Sequence, residues 1–294
     1  MNIIFIALLL TFSLSAAAEK KSYHLDPAFL DARTVEFTRT SNNGETISAI
    51  LKNQNGKKFS LPDTCEPEGG SAELKDAFVI NARHTYFLFI CAWPVNHSGL
   101  GINGTQYEAF LYSGDRLSAI KKNIEFSQAL SGYEGSLEDG GKAYTWYLSR
   151  EIASQKISEL ESGNKTDTLN LAHKVILAQL NDENHESIKA YMDSNRFENL
   201  IKDYPIHRLN VVAYNDIGYA LGQAGANDLA YKVLKSVASA SPARIVLKLN
   251  IADVLWNSDK ETSKTYYKKY VESMRQIGKE NSIPQIVLDR IKSR

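Results

Sequence analysis

The sequence predicts an α+β protein, with an N-terminal antiparallel β domain followed by a C-terminal α-helical domain. Two observations carry this reading. From Thr34 to Tyr147 apolar residues alternate in short runs broken by Asn, Gly and Asp, whereas after Ser149 they recur three and four positions apart. The composition is globular: of 294 residues, 43% are hydrophobic and 23% charged, with 17 Gly and 7 Pro, which excludes a disordered or fibrous chain. Lys plus Arg and Asp plus Glu stand at 34 each. A neutral chain lacks the basic surplus that nucleic acid requires, so no nucleic-acid partner is expected. The length predicts one large or two ordinary domains, because single cores rarely grow past ~250 residues.

Residues 1–18, MNIIFIALLLTFSLSAAA, predict a secretory signal peptide. The apolar run from Ile3 to Leu14 falls short of the ~20 residues a membrane span needs, and Ala16 and Ala18 supply the small residues before a cleavage site at Glu19. No Lys or Arg stands near Met1, so the terminal amine alone forms the positive end. No later apolar run approaches a span, and the mature chain is expected to be periplasmic or secreted, soluble, and without stable membrane insertion. Export bears on the only two cysteines, Cys65 and Cys91, because thiols pair in an oxidising compartment. Their bridge is worth roughly 3 to 4 kcal/mol in the chain-entropy treatment. They lack the close spacing of a structural zinc site, and no metal is expected.

The β domain is expected over residues 19–154. TVEFTRT, ETISAILK and KKFSLP read as strands separated by the turn dipeptides Asn43-Gly44 and Asn55-Gly56. Further strands are expected at Ala77 to Ile80, Thr85 to Trp93, Gln106 to Tyr112 and Lys142 to Leu148. The run YFLFICAW is apolar on both faces and reads as the central strand, with Cys91 on it. Cys65 falls in the loop PDTCEPEGG, which the disulfide would pin to the middle of an antiparallel sheet rolled or packed on itself.

Residues 155–167, with SGNKTD inside them, read as a linker, and 168–294 as the helical domain. One apolar stripe comprises Leu169, Ala172, Val175, Ile176 and Leu180. A second comprises Leu229, Ala230, Val233, Leu234 and Val237, and a third Tyr266, Tyr267, Tyr270, Met274 and Ile277. Ser258 with Glu261 and Ser282 with Gln285 have the spacing of capping boxes at helix starts.

Val211 to Arg244 resembles a tetratricopeptide repeat, carried by Tyr214, Ile217, Gly218, Leu221, Ala230, Leu234, Val237 and Pro242. Gly218 and Ala230 are small where two antiparallel helices approach, and Pro242 stops the second. Ile251, Ala252 and Leu255 begin a weaker copy, with Ser263 one place early for its small residue. The resemblance implies stacked hairpins whose groove holds a protein segment, and it does not imply catalysis.

Catalytic motifs are sparse. Gly99, Gly101 and Gly104 fit a dinucleotide fingerprint, but no helix pattern follows, so they read as a hairpin loop and no cofactor is expected. The six histidines are scattered without a second histidine four residues on. Glu134, Glu138 and Asp139 before Gly140-Gly141 form the best acidic candidate, and the solvated turn is the ordinary account of such a run. Surplus Tyr and Trp suit a binding surface.

The layout of signal, β domain with YFLFICAW, the turn GYEGSLEDGG and then helices is similar to exported immunity proteins that neutralise periplasmic toxins in bacteria. That likeness implies inhibition by occlusion, with aromatic anchors in the toxin's cleft. The sequence is therefore expected to encode an exported, non-enzymatic protein-binding protein, with Tyr133, Tyr147, Tyr219, Asn215 and Lys248 as partner-binding residues. Two other readings stay open: a periplasmic scaffold or assembly factor using the groove, and an envelope-polymer hydrolase using Glu134, Glu138 or Asp139.

Overall fold

The computed structural model describes residues 19–40, 46–67 and 70–293. The expected signal peptide, residues 1–18, and the expected Asn43-Gly44 turn lie outside the described residues. The chain divides into two compact units, the first ending at Thr145 and the second beginning at Trp146.

The first unit contains two antiparallel sheets. One is a meander of β1 (Glu19–Phe29), β2 (Ala32–Thr40), β3 (Thr46–Asn53) and β4 (Lys58–Cys65), in that order. The other contains β5 (Glu73–Asn81), β6 (Thr85–His97), β7 (Ile102–Ser113), β8 (Lys121–Lys122), β9 (Gly132–Ser136) and β10 (Lys142–Ala143). Its order is β10-β9-β7-β6-β5, with β8 also on β7, and α1 (Ile124–Leu130) lies between β8 and β9 in sequence. Alternation decides which faces meet. Val35 and Phe37 of β2 and Ile47, Ala49 and Leu51 of β3 are buried with Phe87, Phe89, Cys91 and Trp93 of β6 in one core. Phe37 meets Phe89 edge-on at 5.6 Å, and the Cys65–Cys91 disulfide joins the two sheets with its Cα atoms 6.1 Å apart. Tyr86 to Cys91 are all buried, as expected of a central strand.

Several expectations need correction. The strand pattern was expected to open at Thr34, but β1 begins at Glu19. Only Leu25 and Phe29 of this edge strand are buried, so its charged sequence EKKSYHLDPAF gives little periodic signal. Cys65 ends β4 and is not in the loop. Pro62 is tolerated there because β4 is the other edge of its sheet. The strand expected from Lys142 to Leu148 pairs only at Lys142 and Ala143, opposite β9, which the glycine-rich run GYEGS had concealed. The turn at Asn55-Gly56 forms as expected, with Gly56 at φ 75° and the Asn53 side chain accepting from the backbone N–H of Asn55 and of Lys57.

The second unit is helical: α2 (Arg150–Glu161), α3 (Leu169–Asn181), α4 (His185–Tyr191), α5 (Ser194–Asp203), α6 (Val211–Gln223), α7 (Asn227–Ala240), α8 (Ile245–Leu255), α9 (Lys260–Gln276) and α10 (Gln285–Lys292). The expected linker over residues 155–167 is mostly α2. Its polar surface hides the buried Ile152, Ala153 and Ile157, and Ser149 caps its start by accepting from the Ile152 N–H. Only SGNKTD is irregular, and its last residue, Asp167, is buried.

Helices α6 and α7 form one hairpin and α8 and α9 the next. A Cβ on Gly218 would sit 2.7 Å from Leu234, so glycine sets the approach of α6 to α7. Pro242 follows the end of α7, as expected. The caps differ from expectation. Asp259, not Ser258, caps α9 by accepting from Thr262, and α10 starts after Pro284 with no side-chain cap from Ser282. Among the described residues no helix is long and apolar enough to cross a membrane. That and the disulfide are compatible with an exported chain.

Candidate functional site

Within the helical unit, α6, α8 and α10 line a cavity of about 300 Å³. Gly222, Asn250 and Val254 lie along it, with Tyr219, Asp253, Ile286 and Arg290 around them. Gly222 is required by the fit, since a Cβ there would lie 2.8 Å from Val254. Helical period places Val212 and Tyr219 on one face of α6 and Val246 and Asp253 on one face of α8. Each α8 residue stands 34 positions after its α6 counterpart, the spacing of the repeat expected from sequence. Tyr219 is 40% exposed and Ile286 55%.

The polar side of this groove is internally paired. Arg290 donates to Asp253 at 2.8 Å and also to the Tyr267 hydroxyl, which itself donates to Asp253 at 2.6 Å. The guanidinium stacks 4.9 Å from the Trp256 ring. Burial pushes the Tyr267 phenol above its ordinary range, and the Asp253 carboxylate adds to that. A second concavity of about 420 Å³ lies where α3 meets the start of α6, lined by His173, Tyr204, Leu209 and Val212 among others. Leu209 is 92% exposed there, and His173 pairs with Asp216 at 3.0 Å across α3 and α6.

The sequence-expected residues distribute unevenly. Tyr219 alone of the five presents an exposed ring to the groove. Asn215 is buried behind it, donating to Asp216 and accepting from Asn250 at 3.1 Å. Lys248 is half-buried and donates to Ser273 at 2.7 Å, tying α8 to α9. Tyr133, in the other unit, is half-buried. It donates to the Ser136 carbonyl at 2.9 Å and packs where Gly104 leaves space, so it braces the β7–β9 pairing. Gly99, Gly101 and Gly104 lie in or beside the β6–β7 hairpin connection, as expected.

Tyr147 belongs to a buried network that the sequence did not reveal. Its hydroxyl donates to Asp167 at 2.8 Å, alongside Tyr191 at 2.6 Å, Lys156 at 2.7 Å and Arg196 at 3.4 Å. Burial pushes the Asp167 carboxyl up, but the Lys156 ammonium and the hydroxyls of Tyr191 and Tyr147 pull it further down, below the usual carboxylate range. Burial and the same carboxylate raise the phenols of Tyr147 and Tyr191. Every partner is satisfied, so this network holds α2, α4 and α5 together. Asp167 carried no signal because it ends a polar turn.

The acidic candidate separates. Glu134 is half-buried on β9, its carboxyl raised by burial with Lys75 opposing, whereas Glu138 and Asp139 occupy an exposed turn in which Asp139 accepts from the Gly141 N–H at 2.8 Å. No group of three or more His, Cys, Asp or Glu among the described residues is placed to hold a metal. Compared with known proteins, the chain matches no family model and no curated relative.

Proposed function

We propose that the protein is an exported, non-enzymatic binding protein whose tetratricopeptide-like hairpins hold a segment of a protein partner in the groove of α6, α8 and α10. Its most specific form is an immunity protein or inhibitor that neutralises a toxin in the periplasm by occlusion. The observation that carries this reading is the distribution of exposed apolar side chains. Val212 and Tyr219 on α6, Val246 on α8, Ile286 on α10 and Leu209 just before α6 are exposed, whereas among the described residues α7 presents none and α9 only Ile277 just past its end. An apolar ladder on one set of helices, beside a paired Asp253–Arg290 centre, suits a polypeptide that supplies side chains at intervals.

The test is site-specific photo-crosslinking in the native envelope, with a benzophenone side chain at position 219, 286 or, as control, 268 on α9. A single protein joined at 219 and 286 but not at 268 supports groove binding, and protection of cells from that protein's activity identifies it as the toxin. Joining at no groove position, or retention of saccharide fragments alone, overturns the reading. Tyr219→Ala is expected to weaken capture by about tenfold or more, as an exposed aromatic anchor does when truncated.

A further inference from the structure

The long hairpin of β6 and β7 leads to a second site in the β unit. Residues directly opposite in an antiparallel pair share a face. Cys91 lies opposite Glu108 and Trp93 opposite Gln106, so Glu108 and Gln106 project from the same face as two side chains that bury toward the first sheet. The last strand of that sheet to pair in sequence, β4, ends at Cys65, whereas β6 continues to His97. Here the apolar core gives way to a cleft of about 840 Å³, bordered by Glu66, Trp93, His97, Gln106, Glu108 and Gln128 among others.

The chemistry of this cleft is one-sided. Among the described residues no Lys or Arg borders it, while two carboxylates do. Glu108 is half-buried and makes no hydrogen bond or ion pair among the described residues. The nearest cation is already engaged, because Lys122 donates to Asp63 at 3.0 Å and lies 4.5 Å over the Phe110 ring. Tyr112 also donates to Asp63. Burial holds the Glu108 carboxyl above the usual range, with Lys122 pulling it down and Asp63 and Glu66 pushing it further up. A partly desolvated carboxylate without a cation, beside an indole and side-chain amides, is complementary to a positively charged planar or ammonium group.

We propose that this cleft binds the guanidinium or ammonium group of a ligand, with Glu108 as its counter-ion, Glu66 and Gln106 as further acceptors and Trp93 as an aromatic wall. The group arrives on a free small amine or on an arginine or lysine side chain of a polypeptide. Binding is proton-linked. The groups around Glu108 are Lys122 on β8, Asp63 on β4, Tyr112 on β7 and Glu66 after β4, while His97 borders the same cleft six positions along β6 from Cys91, the residue opposite Glu108. A protonated Glu108 carries no charge with which to pair, so affinity is expected to rise as pH climbs past the ordinary carboxylate value of 4.5, above which burial holds this carboxyl.

Titration of the full mature protein with agmatine and with the capped tripeptide Gly-Arg-Gly separates the two sources. Saturable binding of both supports a free ligand, and binding of the peptide alone supports a polypeptide-borne side chain. Glu108→Gln should weaken either by about tenfold or more and flatten the pH dependence, while Glu134→Gln on β9 leaves it unchanged. If Glu108→Gln fails to fold, the wild-type protein still decides the matter, because the indole resonance of Trp93 should shift on titration while those of Trp146 and Trp256 stay fixed. No binding at millimolar probe, binding unaffected by Glu108→Gln, or tighter binding of the neutral citrulline peptide overturns the proposal.

Discussion

Asp167 shows how much one side chain can hold. Its carboxylate is 3% exposed and takes hydrogen bonds from two phenols, an ammonium and a guanidinium that reach it from three helices and the segment before them. Asp167→Asn leaves Lys156, itself 7% exposed, without its charge partner, and is expected to cost about 3–5 kcal/mol in urea unfolding. The pH dependence has two limbs. Because the Asp167 carboxyl is lowered from 3.8 in the fold, its contribution is present above that value and is lost as pH falls below it. Because the phenols of Tyr147 and Tyr191 are raised from 10.0, theirs is present below that value and is lost as pH rises above it. Melting followed across pH should therefore show a plateau that declines at both ends, and Asp167→Asn should make the acid limb shallower. Gly218→Ala is a smaller change with a defined obstacle, since the new Cβ would meet Leu234 at 2.7 Å and Val233 at 3.3 Å. A loss of about 1–3 kcal/mol is expected, read from the same unfolding curves.

At the scale of elements, β7 shows how a strand survives a change of neighbour. It pairs with β9 over Asn103–Tyr107 and with β8 at Tyr112 and Ser113. In the gap between them, the hydroxyls of Ser131 and Ser127 accept from the N–H groups of Ala109 and Leu111. Ser127→Ala leaves a buried N–H unpaired and should destabilise the β unit by about 1–3 kcal/mol, with faster amide exchange at Leu111. Legibility at this scale follows burial. The stripes of α3, α7 and α9 and the doubly buried β6 were readable because apolar period reports burial directly. Edge strand β1, with two buried residues, and β9, made of half-buried GYEGS, were not. Helix α2 was missed because Lys156 and Glu159 are buried through pairing, so its inward face looks polar in sequence. The groove was half legible. Tyr219 was read from the repeat, whereas Asp253 and Arg290 lie 37 positions apart and meet only in the fold, where α10 follows α9 back toward α8.

At the scale of the whole molecule, the Cys65–Cys91 disulfide spans 26 positions and connects an edge strand of one sheet to an inner strand of the other. Its closure entropy is worth roughly 3 to 4 kcal/mol. Reduction is expected to lower the melting temperature of the β unit by roughly 10 °C or more, measured by near-ultraviolet circular dichroism with and without reductant. An unchanged transition would show that sheet-on-sheet packing suffices without the bridge. The close fit of Gly218 and Gly222 against their neighbours also governs which changes in chain length the molecule can survive. One residue inserted between Val212 and Gly218 would turn everything after it by about 100° around the helix axis. Tyr219 would leave the groove, and a side chain would enter the space that glycine keeps open. The same insertion in the turn at Ala224 to Ala226 leaves both helix faces intact. Length variation is thus confined to the turns, and the phase within each helix is as strict a requirement as the identity of any residue on it.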